Sequence, residues 1–189
     1  MDAALHHLKD KRSKIQSVLE LGTGSGCVAV AIAKNAPNKK IKITATDISP
    51  NALAVAKKNA RTHKVKITFL KSDLLHNVSG DFDIIIANLP YGWKGVKQYG
   101  SPWGIKGDTS LAYEPGLALY SGSTGLTLIN KLLLQLKQLK QKPKVIFLEF
   151  DPRQKNALQQ SIRKQLPNVK ISFFKDLRNQ WRYVALAFE

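Results

Sequence analysis

Acidic residues are scarce in this chain. Its 189 residues hold thirteen Asp and Glu against thirty Lys and Arg, a formal net charge of +17. An excess that large points to polyanionic surroundings, with RNA or the ribosome the usual partners, or else to a general richness in lysine. Cysteine is scarcer still. With Cys27 alone, an intrachain disulfide and a cysteine-rich zinc site are excluded. Because it follows a glycine and opens an apolar run, Cys27 reads as a small buried residue. The four histidines, His6, His7, His63 and His76, stand in no metal-ligand spacing. No apolar run approaches a membrane span, and the amino terminus lacks the apolar stretch of a signal peptide. The expectation is a soluble, cytoplasmic monomer without membrane contact.

Length favours a single domain over residues 1–189. Residues 3–14 read as an amphipathic helix. Strands are expected over 17–21, 41–47, 66–71, 82–87 and 144–150, with helices over 27–34, 50–60, 124–141 and 151–165. Ser49-Pro50 is an N-cap followed by proline at the first helical position. Residues 171–174 and 183–188 close the chain as two strands around a turn at 176–180. Strands alternating with helices predict an α/β fold with a mostly parallel sheet, and the final strand pair predicts an antiparallel edge. A glycine- and aromatic-rich stretch over 92–122, with Trp93, Tyr99, Trp103 and Tyr113, is too long for an ordinary connection and reads as a lid or substrate loop.

Gly22-Thr23-Gly24-Ser25-Gly26 lies between the first strand and its helix. Such a loop offers free N–H groups at a helix start and lets a ligand approach the main chain. Asp47 ends the second strand, where a carboxylate can accept both hydroxyls of a ribose. Its other reading is a cap for the helix that Pro50 opens, and the upstream glycines favour the ribose. Asp73, with Leu74 after it, sits where an adenine edge and ring would lie, though a plain strand-end cap fits its spacing equally well. The chain has no Gly-Lys-Ser/Thr and no arginine near the loop, so phosphate machinery is missing. An adenosine bearing something other than phosphate fits better, and S-adenosylmethionine is the obvious case.

The apolar run Phe82-Asp83-Ile84-Ile85-Ile86-Ala87 closes on Asn88-Leu89-Pro90-Tyr91. A buried strand of this kind delivers polar groups to its carboxyl end, where open α/β sheets bind ligands. An amide side chain, a backbone carbonyl held extended by the following proline and an aromatic face suit a planar NH2 group.

These residues resemble a known family. Glu20-Leu-Gly-Thr-Gly-Ser-Gly-Cys27, Ala45-Thr-Asp-Ile-Ser49 with Ala52-Leu53 and Ala56, Ser72-Asp73, Asp83-Ile-Ile-Ile-Ala-Asn88 and Pro90-Tyr91 look like class I S-adenosylmethionine-dependent methyltransferases. Tyr113-Glu114-Pro115-Gly116-Leu117-Ala118-Leu119, with Gly122 and Gly125-Leu126, narrows the resemblance to the HemK/PrmC branch, which methylates a glutamine amide in peptide-chain release factors. The resemblance runs from about residue 5 to the end. It implies a Rossmann-like, seven-stranded sheet with an antiparallel edge hairpin and helices on both faces. It implies that Gly22, Thr23, Gly24, Ser25 and Gly26 line the methionine part of the cofactor, with Asp47 on the ribose and Asp73 and Leu74 near the adenine. By the same resemblance Asn88, Leu89, Pro90 and Tyr91 should hold the substrate amide, with Asn88 also against the cofactor, and Glu114 reads as a structural or lid residue in preference to a general base.

The branch usually has proline where this chain has Leu89. Its members carry a helical amino-terminal domain, whereas only residues 1–16 precede the first strand here. Asn-Leu-Pro-Tyr also resembles the motif of ribosomal-RNA adenine dimethylases, so methylation of adenine N6 in RNA or DNA stands as an alternative. An idle RNA-binding module of the same fold is a third reading.

Overall fold

In a computed structural model of the protein, the described residues are 2–9, 14–92 and 119–188. Seven strands form one sheet in the order β3-β2-β1-β4-β5-β7-β6. They are β1 (Ser17–Leu21), β2 (Lys42–Asp47), β3 (Thr68–Lys71), β4 (Ile84–Ala87), β5 (Val145–Glu149), β6 (Lys170–Lys175) and β7 (Trp181–Ala187). The first five pair in parallel, while β7 lies antiparallel between β5 and β6. The expected class, including the antiparallel closing pair, is thus what the structure has.

Strand alternation divides the core into two layers. Leu19, Leu21, Ile85, Ala87, Ile146 and Leu148 face one side, under α4 (Thr127–Gln138) and α5 (Lys155–Gln165). Val18, Ile43, Ala45, Ile84, Ile86 and Phe147 face the other, with α1 (Asp2–Lys9) and α2 (Cys27–Asn35). On α4, Ile129, Leu132, Leu133 and Leu136 recur at helical spacing and are buried. Each such side chain contributes about 1.5–3 kcal/mol by leaving water. Ser49 caps α3 (Pro50–Thr62) as expected, its hydroxyl accepting the Ala52 N–H at 3.3 Å.

Several boundaries move inward for local reasons. The first helix ends at Lys9 within the described residues, and β3 begins at Thr68, where pairing with Thr44 of β2 begins. Residues 124–126 form a turn before α4, in which Thr124 Oγ1 accepts the Leu126 N–H. After β5 the chain makes a 3-10 turn, Pro152–Gln154, before α5 starts.

Cys27 corrects the sequence expectation, because it is exposed. As the first residue of α2 it lies off the stripe that Ala29, Val30 and Ile32 bury against the sheet.

The sheet reverses its order between β1 and β4: β2 and β3 lie to one side, β5, β7 and β6 to the other. A cleft therefore opens beyond the carboxyl ends of β1 and β4. Those ends are Leu21, which leads into the glycine loop, and Ala87, which leads into Asn88.

Candidate functional site

The glycine loop is fastened from below by one carboxylate. Glu20 is buried in β1, and its Oε2 accepts the Thr23 hydroxyl at 2.6 Å and the Ala29 N–H at 3.0 Å. The second bond caps α2 from the neighbouring strand, which matters because Gly26 at the helix start supplies no side-chain cap. Burial pushes the Glu20 carboxyl up from 4.5 to about 7, although the bonds from Thr23 and Ala29 oppose the shift. Thr23 is itself buried, and its N–H donates to the Thr46 carbonyl at 2.8 Å. Its hydroxyl is committed to Glu20.

The loop rises over Gly24, where an added Cβ would meet nothing within 4 Å. That glycine borders open space. Gly26 is the opposite case. There a Cβ would come within 2.9 Å of the Ala56 side chain, so the bare glycine lets α2 and α3 pack together. Ser25 is exposed, and its carbonyl accepts the Asn59 side-chain amide at 2.9 Å.

Asp47 ties the glycine loop to the start of α3. One carboxylate oxygen accepts the Gly24 N–H and the other the Ser49 N–H, each at 2.9 Å. The side chain is half-buried, and each oxygen keeps a lone pair for a further donor. Ile48 follows it with 56% of its surface exposed. Its signal in the sequence was an apolar residue directly after a strand-end acid, in a segment that otherwise turns polar.

Asp73 forms a surface ion pair with Lys131 of α4. Leu74 departs from expectation: it belongs to the core layer under α4, with only 7% of its surface exposed. Its φ of 55° is in the left-handed region. That conformation lets Ser72 Oγ donate to the Leu74 carbonyl and accept the Asn77 N–H, closing the turn. Little of Leu74 is left for a ring to pack on.

Across the cleft, Asn88 is exposed, and among the described residues its side chain has no hydrogen-bond partner. Leu89 points the other way and is buried. Its Cδ2 would lie 3.1 Å from a Cβ on Gly22, whose φ of 67° also favours glycine. This packing joins the two halves of the site. Asp83, at the opposite end of β4, accepts the Gln16 and Ser17 N–H groups and pairs with Lys144; its work is to hold strand ends together.

Tyr91 is anchored at both ends. Its hydroxyl donates to Glu149 Oε1 at 3.1 Å, and burial together with that carboxylate pushes its pKa up, so it stays a neutral phenol. Its carbonyl accepts Gln154 Nε2 at 2.9 Å, and the same amide nitrogen donates to the Thr124 carbonyl at 2.9 Å. Gln154 Oε1 in turn accepts the Asp151 N–H. Gly125 presses on this junction, since a Cβ there would stand 2.0 Å from the Tyr91 oxygen. Glu149 and Gln154 escape sequence reasoning because nothing local marks them as partners of Tyr91.

Just beyond, Gly92 donates to the Leu119 carbonyl and accepts the Ser121 N–H, both at 2.8 Å. The points where the chain leaves and re-enters the described structure are thus pinned together beside the cleft. Trp93, Tyr99, Trp103, Tyr113, Glu114 and the rest of the element through Ala118 lie outside the described residues.

A family model, the methyltransferase small domain, matches residues 2–100. The chain belongs to the methyltransferase small domain family. Within that family assignment, the chain is 34% identical over 170 residues to the release factor glutamine methyltransferase of Streptococcus pneumoniae, covering 90% of this chain and 58% of that relative. The chain spans 52–60% of the length of the first three curated relatives it matches.

Solved structures agree on the methyltransferase fold. The ribosomal protein L11 methylase of Lactobacillus delbrueckii subsp. bulgaricus aligns with a TM-score of 0.66 at 21% identity, covering 98% of this chain and 76% of its own. The N-terminal domain of human METTL16 in complex with SAH aligns at 0.65 and 16% identity, covering 100% and 67%.

Proposed function

We propose that this chain is a single-domain, S-adenosylmethionine-dependent N-methyltransferase whose acceptor is the side-chain amide of a glutamine in a peptide-chain release factor, working as a cytoplasmic monomer. The observation that carries the reading is Asn88, an exposed amide without a partner among the described residues, at the switch point of the sheet. It stands one residue from the Leu89 side chain that packs against Gly22. The 34% identity to a release factor glutamine methyltransferase supports the choice of acceptor.

The residues present fit the cofactor. Open space at Gly24 admits the methionine part, the free lone pairs of Asp47 suit ribose hydroxyls, and the exposed face of Ile48 suits an adenine ring better than the buried Leu74 does. Asp73 stands at the end of β3 for the adenine edge. The buried Glu20 carboxyl, which forms no salt bridge among the described residues, suits the ammonium end.

When bound, the cofactor supplies an electrophilic methyl on a sulfonium sulfur. An amide nitrogen is a poor nucleophile because its lone pair is delocalised. The Asn88 side-chain oxygen and the Leu89 carbonyl would accept its two hydrogens and aim the lone pair at that methyl, and the methylated nitrogen would then release one of those hydrogens as a proton to solvent. Pro90 keeps Leu89 extended, which limits the directions its carbonyl can take. Tyr91, fixed by Glu149 and Gln154, covers the planar group. Positioning of this kind contributes several kcal/mol, up to about 7–11 in the most favourable intramolecular cases. No strong general base is needed before transfer, which agrees with the absence of histidine and cysteine from Asn88-Leu89-Pro90-Tyr91.

A second reading keeps the site and changes the acceptor to adenine N6, an NH2 of the same shape; the positive charge and Leu89 favour it. Radiolabelled cofactor offered separately to purified release factor and to ribosomal RNA decides between them. Label on a glutamine amide is the expected result. Label on RNA alone would overturn the protein acceptor, and label on neither would leave the idle module.

A further inference from the structure

Positive charge is spread along the chain, but one stretch pairs many cations with almost no acid. Between residues 22 and 72 there are ten Lys and Arg and one acid, Asp47. That stretch builds α2, β2, α3 and β3, and Asp47 sits at its cleft end. At the other end, beneath the second half of α3, lies a groove of about 690 Å³. Lys39, Lys42, Lys57, Arg61 and Lys66 line it, with no carboxylate. Lys39 donates to the Ala33 and Lys34 carbonyls at the end of α2. The other four are exposed, and their side chains have no hydrogen-bond or ion-pair partner among the described residues. Like charges gathered without counterions repel and work against the compact state. A surface selected for solubility alone would intersperse the two signs.

The groove is not uniformly polar. Ile43, Ile67 and the half-buried Phe69 contribute apolar surface between the cations. A cationic rim around an apolar, partly aromatic floor matches a chain that is anionic along its backbone and presents unstacked planar bases. A duplex keeps its bases stacked and would leave the floor unused. An acidic peptide offers carboxylates to the rim and no regular planar group to Phe69.

We propose that this groove docks single-stranded RNA, with phosphates on Lys42, Lys57, Arg61 and Lys66 and a base against Phe69 and Ile67. From Lys42 to Asp47 along β2 is about 17 Å at strand rise, so RNA held here is remote from the Asn88 site. The proposal is therefore independent of which acceptor is methylated.

The test is fluorescence anisotropy of a labelled, unstructured single-stranded RNA dodecamer with the full chain across a salt series. Two variants are compared: one carries Lys42→Gln, Lys57→Gln, Arg61→Gln and Lys66→Gln, the other Lys137→Gln, Lys140→Gln, Lys164→Gln and Lys170→Gln, four exposed lysines elsewhere. The groove variant is expected to bind at least about tenfold more weakly, with the salt slope reduced by roughly 0.7 for each phosphate left unpaired. The control variant should stay within about threefold of the unaltered chain. Equal losses in both variants would reduce the effect to net charge and overturn the proposal. So would the absence of RNA binding by the unaltered chain, equal affinity for duplex RNA, or displacement of RNA by polyglutamate at matched charge. Thermal unfolding checks folding, and the pair Lys57→Gln/Arg61→Gln serves if the fourfold variant is unstable.

Discussion

The glycine loop is held mostly by hydrogen bonds within residues 20–49, with Thr23 and Ala29 donating to Glu20 and Gly24 and Ser49 donating to Asp47; Asn59 adds one bond to the Ser25 carbonyl. The Asn88 side of the same cleft is held by Glu149 and Gln154, 58 and 63 positions from Tyr91 in sequence. A strand-loop-helix unit positions its own backbone, so the cofactor side needs little support from the rest of the fold. The acceptor side depends on β5 and the turn after it being in register with β4. A fault in the first half should therefore disturb the stability of the loop, and a fault in the second should disturb catalysis while cofactor binding survives.

The sharpest way to break this comparison is Asn88→Ala. Methyl transfer should fall by about 10²–10³-fold, as for removal of one preorganised polar group from a reacting centre, while the cofactor Kd measured by calorimetry stays within a few fold. A parallel loss of cofactor binding would show the two halves to be one unit.

Gly125→Ala comes next. A left-handed φ of 72° and a Cβ 2.0 Å from the Tyr91 carbonyl oxygen should cost about 3–4 kcal/mol in denaturant unfolding. The buried partner glycine of the other half, Gly26, offers the same assay on the α2–α3 contact.

Glu20 sharpens the loop side through pH. Its folded-state pKa, about 7, lies above the ordinary 4.5, so between those values the folded chain holds the proton more tightly than the unfolded one. Stability of the cofactor-free protein should fall as pH rises from about 4.5 to about 7, by up to about 3 kcal/mol, and then level off. Glu20→Gln, which keeps an oxygen for Thr23 and Ala29, should remove that slope in urea titrations across the pH range. An unchanged slope would assign it to another group.

The smallest effect is expected from Gln154→Leu. Loosening the Tyr91 and Thr124 carbonyls should lower kcat about tenfold through misplacement of the acceptor, with cofactor Kd unchanged. A rise in KM alone would make Gln154 a substrate-binding residue instead of a positioning one.

The sequence was most legible where chemistry and neighbours lie close together along the chain. Ser49-Pro50 announced the start of α3, the apolar run over 82–87 announced β4, and the glycines announced the loop. It was less legible where exposure depends on packing. Cys27 and Leu74 show the two directions of that difficulty: the first is pushed outward because other residues of α2 take the buried stripe, and the second is drawn inward under α4. Ile48 carried a local signal, an apolar residue after the strand-end Asp47, but its 56% exposure is set by the fold.

Local pattern alone determined the alternation of strands and helices, the loop before α2 and the identity of the tetrapeptide that ends β4, because backbone preferences and apolar periodicity act over a few residues. Only the tertiary structure decided that Leu89 would pack on Gly22, that Gln154 would grip Tyr91, and that Lys42, Lys57, Arg61 and Lys66 would border one groove. Those outcomes depend on which strands become neighbours in the sheet, and that is settled by burying both faces of the whole sheet at once.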